Sequence, residues 1–535
     1  MDFICFDTED DSPERMARGQ DAFSKQVTQI AALTSSGADF YSKGPDTSRF
    51  KRWLRDRPEE IVYAHNCQYD LGNLFGETLD ALDVTMVRGR FIKARWNGLQ
   101  FRDSFNLWPM RLKSIGEVFG MAKGKLDVRS KAYVFRDVEI LREAVNFFVR
   151  FCSDNGLDTV PTTLGGVALA LWRGWGGTNC MDTSDLSRRA LYGGRVELFQ
   201  PEAHGRIEHT DINSLYPSTM RGTFPGPLEP WPKRLGLPQT GVAEVSVRVP
   251  NTSLPVLPWR REDGTVLYAC GRFRGVWTIP EIALACGRGA TIERLWQALG
   301  ARETLVPYGD YVTRVYERRQ AAKTKAERLV WKLCLNNLYG RLGSTGVISR
   351  SVLLTDRTAR QGTPYGSKCL VDYAMPLDGS TNWAHAAYIT AMGRCELWRA
   401  MADIGAERMI YADTDGTVFE RRPGEKMPFP LGAELGQMKH EGTYRHCQTF
   451  APKAYRLGRM AKAKGVPSRL ADEFLRTGRA EFELPFKLRE AILFYDRENS
   501  RQLSVWHRVV KERRSIYDRK RLVGGRYEPL TLNRA

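Results

Sequence analysis

Two short apolar runs meet at an acidic turn near residue 413, and this feature constrains the fold most strongly. Residues 409–419 read Met-Ile-Tyr-Ala-Asp-Thr-Asp-Gly-Thr-Val-Phe. β-Prone runs on either side of an Asp-Gly pair predict a β-hairpin. Asp413 and Asp415 are two residues apart, so on a strand their side chains leave the same face. Crowded carboxylates repel each other unless a cation lies between them, and Mg²⁺ prefers oxygen ligands. The alternative is a solvated Asp-Gly turn.

The amino-acid composition limits the kinds of molecule that the protein is expected to bind. The 535 residues include 80 Lys and Arg against 62 Asp and Glu, for a net charge of +18. This excess favours a polyanion, either nucleic acid or a membrane surface. There is no apolar run of about 18 residues and no signal-peptide pattern at the N-terminus, so we expect no membrane span and no export. Ten scattered cysteines without a C-x-x-C pair indicate a reducing cytoplasm, and neither a zinc knuckle nor a disulfide framework.

A second set of acids lies near the N-terminus. Asp7 and Glu9 end an apolar strand and share one face of it. A further strand, 61–64, is followed by Asp70, which we expect to open a helix over 71–77. Tyr133 and Asp137 are one turn apart at the start of an amphipathic helix that runs to about Cys152. Each acid alone is as well explained by solvation, whereas their order and spacing together are specific.

These acids resemble the three exonuclease motifs of family B DNA polymerases with 3′–5′ proofreading. The resemblance implies two divalent ions held by four carboxylates, those of Asp7, Glu9, Asp70 and Asp137, and a water molecule oriented by Tyr133. It also implies a lysine near the scissile phosphate, either Lys125 or Lys123. The residues implied to contact single-stranded DNA are Asn66, Tyr69, Ser104 and Phe105.

A glycine-rich stretch follows over 156–190, and we expect a connector with one short helix near 167–173. The next segment resembles the family's Y-x-G-G loop, which touches template phosphates, although Leu191 stands where that pattern has its first tyrosine. The residues implied for this contact are Tyr192, Gly193, Gly194 and Arg195. A simple glycine hairpin turn is the alternative.

The string Asp211-Ile-Asn-Ser-Leu-Tyr-Pro matches motif A of the same family. We expect a strand to deliver Asp211, with Pro217 in the turn after it. The resemblance implies that Asp211 and Asp415 bind both ions of a Mg²⁺ pair, that the backbone carbonyl of Ile212 binds one, and that Asp413 supports them. It also implies that Tyr216, with Leu215 beside it, excludes a ribose 2′-hydroxyl from the nucleotide site.

Residues 332–340 match motif B, with Asn337 replacing the usual serine. Spacings of three and four place a stripe on one helix face: Lys325, Arg328, Lys332, Asn336 and Tyr339. A basic stripe is commonly a solvated face. The resemblance instead implies that Lys332, assisted by Arg328, binds a triphosphate, and that Asn336 and Tyr339 shape the nucleotide pocket.

The last motif is Lys453-Ala-Tyr455, which resembles the K-x-Y motif that holds a primer terminus. Motif C is the acidic hairpin itself, where Gly416 replaces the family's serine. Residues 501–535 carry ten Lys and Arg, and we expect them to contact duplex phosphates.

The resemblance implies a multidomain α/β and α+β fold, with an RNase H-like exonuclease domain and then a right-hand polymerase of palm, fingers and thumb. Long spacings between motifs predict two insertions, as in the protein-primed polymerases of small phages and linear plasmids. The expected divisions are 1–155 exonuclease, 156–190 connector, 191–225 palm, 226–315 first insertion, 316–345 fingers, 346–381 second insertion, 382–485 palm and 486–535 thumb.

We therefore expect a monomeric DNA-directed DNA polymerase with 3′–5′ exonuclease activity, and the resemblance to phage enzymes implies the cytoplasm of a bacterial host cell. Its expected partners are template, primer, dNTPs and a terminal protein that serves as primer, with no membrane. Two Mg²⁺ ions are expected at each site, with Mn²⁺ as a substitute. The alternatives are priming by nucleic acid, synthesis without a primer, and a catalytically silent DNA-binding scaffold. Asp211, Asp413 and Asp415 are all present, which disfavours the last.

Overall fold

The computed structural model describes residues 1–11, 26–122, 126–178, 180–344, 347–356, 361–374, 379–485, 488–493, 506–513, 521–522 and 527–534. The N-terminal strands are β1 (Ile4–Asp10), β2 (Val27–Thr34), β3 (Asp39–Lys43), β4 (Ile61–Ala64), β5 (Asp83–Val87), β6 (Arg90–Trp96) and β7 (Leu99–Asp103). The helices here are α1 (Ser48–Arg55), α2 (Cys67–Phe75), α3 (Leu112–Phe119) and α4 (Lys131–Asp154).

The middle of the chain continues with helices and a β-rich segment. The helices are α5 (Leu164–Gly174), α6 (Asp185–Ala190), α7 (Leu215–Thr219), α8 (Ile279–Cys286), α9 (Gly309–Ala321) and α10 (Lys325–Leu342). The strands are β8 (Val196–Leu198), β9 (Glu202–Ile212), β10 (Phe224–Pro225), β11 (Glu229–Pro230), β12 (Gly241–Val249), β13 (Pro258–Arg260), β14 (Val266–Tyr268), β15 (Cys270–Thr278), β16 (Thr291–Gly300) and β17 (Thr304–Leu305).

The remaining strands are β18 (Val347–Leu353), β19 (Thr363–Tyr365), β20 (Lys368–Ala374), β21 (Met409–Asp413), β22 (Gly416–Glu420), β23 (Met438–Ala451), β24 (Ala454–Leu457), β25 (Met460–Ala463), β26 (Arg479–Pro485), β27 (Trp506–Glu512), β28 (Arg521–Leu522), β29 (Glu528–Pro529) and β30 (Thr531–Arg534). The remaining helices are α11 (Trp383–Ile404), α12 (Ala471–Thr477) and α13 (Leu488–Leu493). No helix among the described residues combines the length and apolar character that a bilayer crossing needs.

A ten-stranded sheet organises the N-terminal part, in the order β19-β20-β18-β5-β6-β7-β4-β1-β2-β3. Helix α4 lies on it and begins where the Ser130 hydroxyl accepts the Tyr133 amide. Its apolar stripe is buried as its spacing predicts. The Phe151 ring at its far end lies 4.6 Å from that of Trp331 on α10, so the N-terminal core continues into the core around α10.

A seven-stranded sheet forms the centre, in the order β25-β24-β23-β9-β22-β21-β8. Helix α11 covers it and is capped by the Asn382 side chain, which accepts the His385 amide. Leu397 and Met401 of α11 are buried in one core with Met409 and Phe419 of the sheet. This packing fixes the strands that carry the predicted acids.

The segment predicted as the first insertion is a β-domain whose sheet has the order β11-β16-β12-β15-β30. Its edge strand β30 comes from the end of the described chain and pairs parallel to β15, with Cys270 opposite Thr531. The segment predicted as the second insertion contributes β18, β19 and β20. Strand β18 pairs antiparallel with β5, with Ile348 opposite Val87, and so extends the N-terminal sheet.

Three sequence predictions were wrong in detail. Helix α2 begins at Cys67 rather than after Asp70, because Asn66 with φ 67° ends the preceding strand and starts the helix early. The connector holds two helices, α5 and α6, and α5 is longer than predicted because the Thr163 side chain caps it at Gly166. Pro217 lies within α7, where its missing amide costs little in the first turn. Thr531–Arg534 of the C-terminal segment form an edge strand of the β-domain, and contact of this segment with duplex phosphates stays a prediction.

Candidate active sites

The predicted acidic hairpin is confirmed. Strands β21 and β22 are antiparallel, with Asp413 opposite Gly416. Thr414 at the tip has φ 62°, and its amide donates to the Arg195 carbonyl at 2.7 Å. This bond ties the tip to the loop before β8.

Strand β9 brings the third acid to the hairpin. It pairs with β22, and Asp211 lies directly opposite Gly416, the residue after Asp415. The predicted convergence of residues 211 and 415, distant in sequence, therefore follows from strand pairing. Both aspartates line one cavity of about 470 Å³.

Burial and nearby acidic charges disfavour ionisation of these two carboxylates. Burial, followed by the nearby Asp211 charge, raises the pKa of Asp415 to about 7. Burial, followed by the Glu441 charge, also raises the pKa of Asp211. The Asp211 Oδ1 atom is buried and has no hydrogen-bond partner among the described residues. A cation would satisfy this oxygen and offset the repulsion.

Asp413 has a different environment. Its carboxylate accepts from the Tyr411 hydroxyl at 3.1 Å and the Thr414 hydroxyl at 3.1 Å, and lies 3.2 Å from the Lys453 Nζ atom. The Tyr411 hydroxyl in turn accepts the Lys453 amide at 2.9 Å. Asp413 thus connects the hairpin to the K-x-Y segment. Sequence reasoning missed Tyr411, whose position in an apolar strand suggested only packing.

The helix predicted from motif B is confirmed as α10. It begins where the Thr324 side chain accepts the Glu327 amide. Lys332, Asn336 and Tyr339 line the cavity that contains Asp211 and Asp415, whereas Arg328 is an exposed residue one turn away. Five further polar residues that line the cavity lie outside the motifs found in the sequence: Tyr316, Arg319, Gln320, Lys439 and Glu441. The only signal for Arg319 was a basic last turn in α9.

Tyr216 lines the same cavity as Asp211 and Asp415. Its ring centroid is 4.6 Å from that of Tyr339, and burial raises its pKa. Leu215 beside it is buried, so only Tyr216 presents a large side-chain surface to a ligand. The two tyrosines come from different motifs and form one wall.

The Y-x-G-G segment lies against this wall. A Cβ atom added to Gly194 would lie 2.7 Å from the Thr414 side chain and 2.9 Å from the Tyr216 hydroxyl oxygen. Gly194 is therefore where this loop packs on the hairpin and on Tyr216. Gly193 is exposed and has nothing within 4 Å of an added Cβ atom.

Two phosphate contacts predicted for this loop are not supported by the structure. Arg195 is 1% exposed and pairs with the buried Glu197, which also pairs with Arg521 of the basic C-terminal segment. Tyr192 is buried as well. Burial of a charged group requires a partner, so this arrangement uses Arg195 and Arg521 for packing rather than for phosphate binding.

Arg394 of α11 binds the backbone of the loop that contains Tyr192 and Gly193. Its Nη1 atom donates to the carbonyl oxygens of Tyr192 at 3.0 Å and Gly193 at 2.7 Å. Its guanidinium also forms a fully buried ion pair with Glu281 of α8, at 2.8 Å. Sequence reasoning missed this pair, because a lone arginine in an apolar helix carries no distinctive pattern.

Lys453 and Tyr455 flank the hairpin from β24. Lys453 has φ 61° and directs its Nζ atom to Asp413. The Tyr455 ring is buried, with its centroid 5.1 Å from that of Tyr411. Lys453 therefore offers a charge near the acids, while Tyr455 supports it by packing.

The N-terminal acids form a second site. Ligand oxygens of Asp7, Glu9 and Asp137 all lie within 4.8 Å of one another. Strand β1 supplies the first two, and α4 supplies Asp137, with Tyr133 one turn before it on the same helix. Three carboxylates at this separation fit a divalent cation bound through oxygen.

Asp70 lies beside this group rather than within it. Its Oδ1 atom accepts from the Thr8 amide at 3.0 Å and from the Thr8 hydroxyl at 2.7 Å. Burial raises the pKa of Asp70 to about 8; the Thr8 hydrogen bonds oppose this rise, and the Asp103 and Glu9 charges add to it. A cation near Asp70 would favour its ionised form.

The residues predicted to contact single-stranded DNA differ in exposure. Phe105 is exposed, and Asn66 and Tyr69 are half-buried, with the Tyr69 hydroxyl donating to Asp10 at 2.5 Å. Ser104 is buried and hydrogen-bonded to the buried His65 at 2.9 Å, so the prediction of a direct contact is wrong for Ser104. Lys123 and Lys125 lie outside the described residues.

Sequence comparisons relate the chain to known polymerases. Residues 179–361 match the family model described as DNA polymerase type B, organellar and viral. A probable DNA polymerase of Ascobolus immersus is 26% identical over 301 residues, which cover 52% of this chain and 24% of that protein. The DNA-directed DNA polymerase of Enterobacteria phage PRD1 is 25% identical over 444 residues, or 76% of this chain and 75% of that one.

The fold is also similar to that of solved structures. Phi29 DNA polymerase in an orthorhombic crystal form matches with a TM-score of 0.72 at 14% identity, over 96% of this chain and 100% of that one. Its complex with primer-template DNA and incoming nucleotide matches with a TM-score of 0.70 at 15% identity, over the same shares. The predicted fold class, an exonuclease domain followed by a right-hand polymerase, is confirmed. The chain is therefore similar in sequence to the type B DNA polymerases of organelles and viruses over residues 179–361, and similar in fold to phi29 DNA polymerase over nearly its whole length.

Proposed function

We propose that this chain synthesises DNA on a template from dNTPs. The carrying observation is that Asp211 on β9 and Asp415 in the turn before the neighbouring strand β22 line the same cavity as Lys332 of α10. An acidic pair opposite a basic side chain suits a nucleoside triphosphate with its bound cations. The names of the two sequence relatives support the same reaction.

The donor set fits a pair of divalent cations such as Mg²⁺. Asp211 and Asp415 would hold it, since the Asp211 Oδ1 atom is buried without a partner among the described residues, and burial and nearby acidic charges raise the pKa of both carboxylates. When bound, such a pair supplies charge stabilisation for the entering and leaving oxygens. The Ile212 carbonyl and Asp413 belong to the proposed site as an additional ligand and a support.

The chain's own residues would position the nucleotide. Lys332 would neutralise phosphate charge, while Arg328 and the newly found Arg319 add charge nearby. Tyr216, whose ring is tilted against that of Tyr339, would lie under the sugar and exclude a 2′-hydroxyl. Lys453 and the exposed Gly193 are proposed to contact primer and template.

Primer extension with the Asp415→Asn variant tests this proposal. We expect a loss of nucleotide addition of at least about a thousandfold, because the variant removes a charge that the transition state needs. Degradation of a labelled 3′ end should persist in the same preparation. Glu420→Gln, at the other end of strand β22, is the matched control and should extend normally. Full synthesis by Asp415→Asn would refute the assignment.

We propose that the N-terminal site removes nucleotides from a 3′ end. The cluster of Asp7, Glu9 and Asp137, with Asp70 beside it, supports a cation-dependent hydrolysis. Tyr133 would orient the attacking water. Asn66, Tyr69 and Phe105 would hold the frayed strand.

We further propose priming by a terminal protein. The two insertions support it: 226–315 carries a separate β-domain, and 346–381 carries strands that join the N-terminal sheet. Arg489 of α13 lies 3.3 Å from Asp372 of β20, so the thumb-like end approaches the second insertion. If the thumb-like end and the second insertion together surround the DNA, they would favour processive synthesis. The divisions given above remain our proposed domain boundaries.

Incubating the chain with a candidate terminal protein and one labelled dNTP tests protein priming. We expect a covalent protein–nucleotide adduct that is absent with Asp415→Asn. If extension occurs only from an added oligonucleotide, the enzyme is primed by nucleic acid. Synthesis with neither would indicate independence from a primer.

A further inference from the structure

A cluster of two imidazoles and one carboxylate lies on the central sheet, away from both acidic sites. Glu202 and His204 belong to β9, and His446 belongs to β23. One ligand atom from each lies within 4.8 Å of the other two. No step in the proposed synthesis or hydrolysis uses these residues.

Strand pairing creates the cluster. His446 lies opposite His204, and Gln448 opposite Glu202, so the side chains at these positions share one face. The register is irregular between Tyr444 and His446, where Gly205 and Arg206 face a single residue. Gly205 has φ 112°, which a side chain would strain. This bulge turns His204 towards His446.

The ligand atoms are already at nearly coordinating separations. The Glu202 Oε1 atom is 2.7 Å from the His446 Nε2 atom and 3.3 Å from the His204 Nε2 atom. The two rings stack with centroids 4.5 Å apart. Bonds of about 2.0–2.1 Å in a tetrahedral site place ligand atoms roughly 3.4 Å apart. Small rotations of exposed side chains would therefore suffice.

The donor set selects the kind of metal. Imidazole nitrogens suit Zn²⁺, Ni²⁺ and Cu²⁺, whereas Mg²⁺ requires oxygen ligands. We propose that Glu202, His204 and His446 form a transition-metal site of the Zn²⁺ class, with water in the remaining position. Gln448, whose amide nitrogen is 3.2 Å from Glu202 Oε1, would orient the carboxylate.

The location indicates a structural effect. His204 is seven residues from Asp211 along β9, or roughly 23 Å at the usual rise per residue. A metal there cannot touch the nucleotide cavity. It would join β9 to β23, the strand that leads into the Lys453 turn. Metal binding should therefore raise the thermal stability of the sheet without taking part in chemistry.

The test uses the full chain after bound metal has been removed. Excess Mg²⁺ is then added so that it occupies the sites made of oxygen ligands. An Asp7→Ala/Glu9→Ala background removes the other three-residue cluster. Titration with Zn²⁺ by calorimetry should give one tight equivalent, and Co²⁺ should give visible absorption bands of a nitrogen-containing site. His204→Ala and His446→Ala should each weaken binding at least tenfold. His440→Ala is the control, because this imidazole lies on the same strand and also contacts a carboxylate, that of Glu208, at 2.9 Å.

Zn²⁺ should raise the thermal midpoint of the background protein and of His440→Ala, but not of His446→Ala. The proposal is overturned if no equivalent binds, or if binding by the His204 and His446 variants matches that of the control. Circular dichroism in the absence of metal should show that all variants are folded. If a variant is not folded, Gln448→Ala replaces it, with weaker Zn²⁺ binding as the expected result and unchanged binding as the refuting one.

Discussion

The backbone amide of Ile212 donates to the carbonyl oxygen of Asp415 at 2.8 Å. This bond lies at the end of the β9–β22 pairing, beside the two proposed metal ligands Asp211 and Asp415. A one-residue shift in that register would turn Asp211 to the opposite face. The geometry of the acidic pair is therefore set by backbone pairing, and substitutions that disturb the hairpin tip should impair synthesis.

Gly194→Ala tests this dependence. Its added Cβ atom would lie 2.7 Å from Thr414 and 2.9 Å from the Tyr216 hydroxyl, so both must move. We expect nucleotide addition to fall at least about tenfold, because small displacements of reacting groups are costly. Single-turnover extension measures it, and 3′-end degradation should not change.

Comparison with Gly193→Ala shows whether the loss in Gly194→Ala comes from tight packing or from a lost phosphate contact of the loop. This neighbour has open space around its added Cβ atom, so the substitution creates no clash. We expect a smaller loss than for Gly194→Ala. Equal losses in both variants would contradict the packing explanation.

Tyr216→Ala should relax sugar selection. Removing the ring that packs 4.6 Å from Tyr339 opens the space where a 2′-hydroxyl would otherwise clash. We expect the preference for dNTP over rNTP to fall by about 10–100-fold, as loss of one steric contact is worth about 1–3 kcal/mol. Competition between dCTP and CTP measures the ratio. Tyr216→Phe keeps the ring and should retain the preference.

The Asp7→Ala/Glu9→Ala variant should lose 3′-end degradation and keep extension. It removes two of the three clustered carboxylates and so any cation they hold. A labelled single strand reports degradation, and a primed template reports extension. The exposed Asp39, on strand β3 of the same sheet, supplies the control Asp39→Ala. Unchanged degradation would show that the nuclease site lies elsewhere.

Arg394→Met should destabilise the fold and loosen the Tyr192–Gly194 loop. It leaves Glu281 buried without its partner, which typically costs about 3–5 kcal/mol. Urea unfolding measures the free energy. Arg394→Met with Glu281→Met removes both charges and should recover much of the loss. If the double variant is as unstable as the single one, the ion pair is not the cause.

His385 should make the fold acid-sensitive. It is buried, contacts the Tyr308 hydroxyl at 2.7 Å and the Pro225 carbonyl at 2.8 Å, and its pKa falls from 6.5 to about 4, chiefly through burial. The folded state resists protonation, so stability is full above pH 6.5 and is lost as pH falls towards 4. Between pH 7 and pH 5 this loss is about 2 kcal/mol.

Urea unfolding of wild type and His385→Gln at both pH values measures this contribution. The variant should be less stable at pH 7 but should lose less on acidification. Other buried histidines, such as His65, contribute equally to both proteins and cancel in the comparison. Parallel losses in the two proteins would exclude His385 as the acid-sensitive group.

The sequence predicted features that depend on local spacing. The hairpin at residue 413, the Tyr133–Asp137 helix turn and the stripe on α10 each follow from periodicity, and the structure contains all three. The meeting of Asp211 with Asp415 was expected from family resemblance alone. Strand order supplies its physical cause, and no local pattern encodes strand order.

What the sequence did not predict depends on partners distant in the chain. Arg195 and Ser104 were expected at DNA, yet each is buried by residues more than 30 positions away, Arg195 at Pro255 and Ser104 at His65. Arg394 and Glu281 are likewise 113 residues apart. Charge and motif position do not reveal burial, because burial depends on packing between elements.

The β15–β30 pairing limits how this protein can be divided. The β-domain is contiguous from Glu229 to Leu305 except for its edge strand, which is Thr531–Arg534. A fragment that covers only residues 226–305 would leave the backbone groups of β15 uncovered and open to association with other chains. Dissection of the insertion should therefore supply the missing strand as a peptide or by circular permutation.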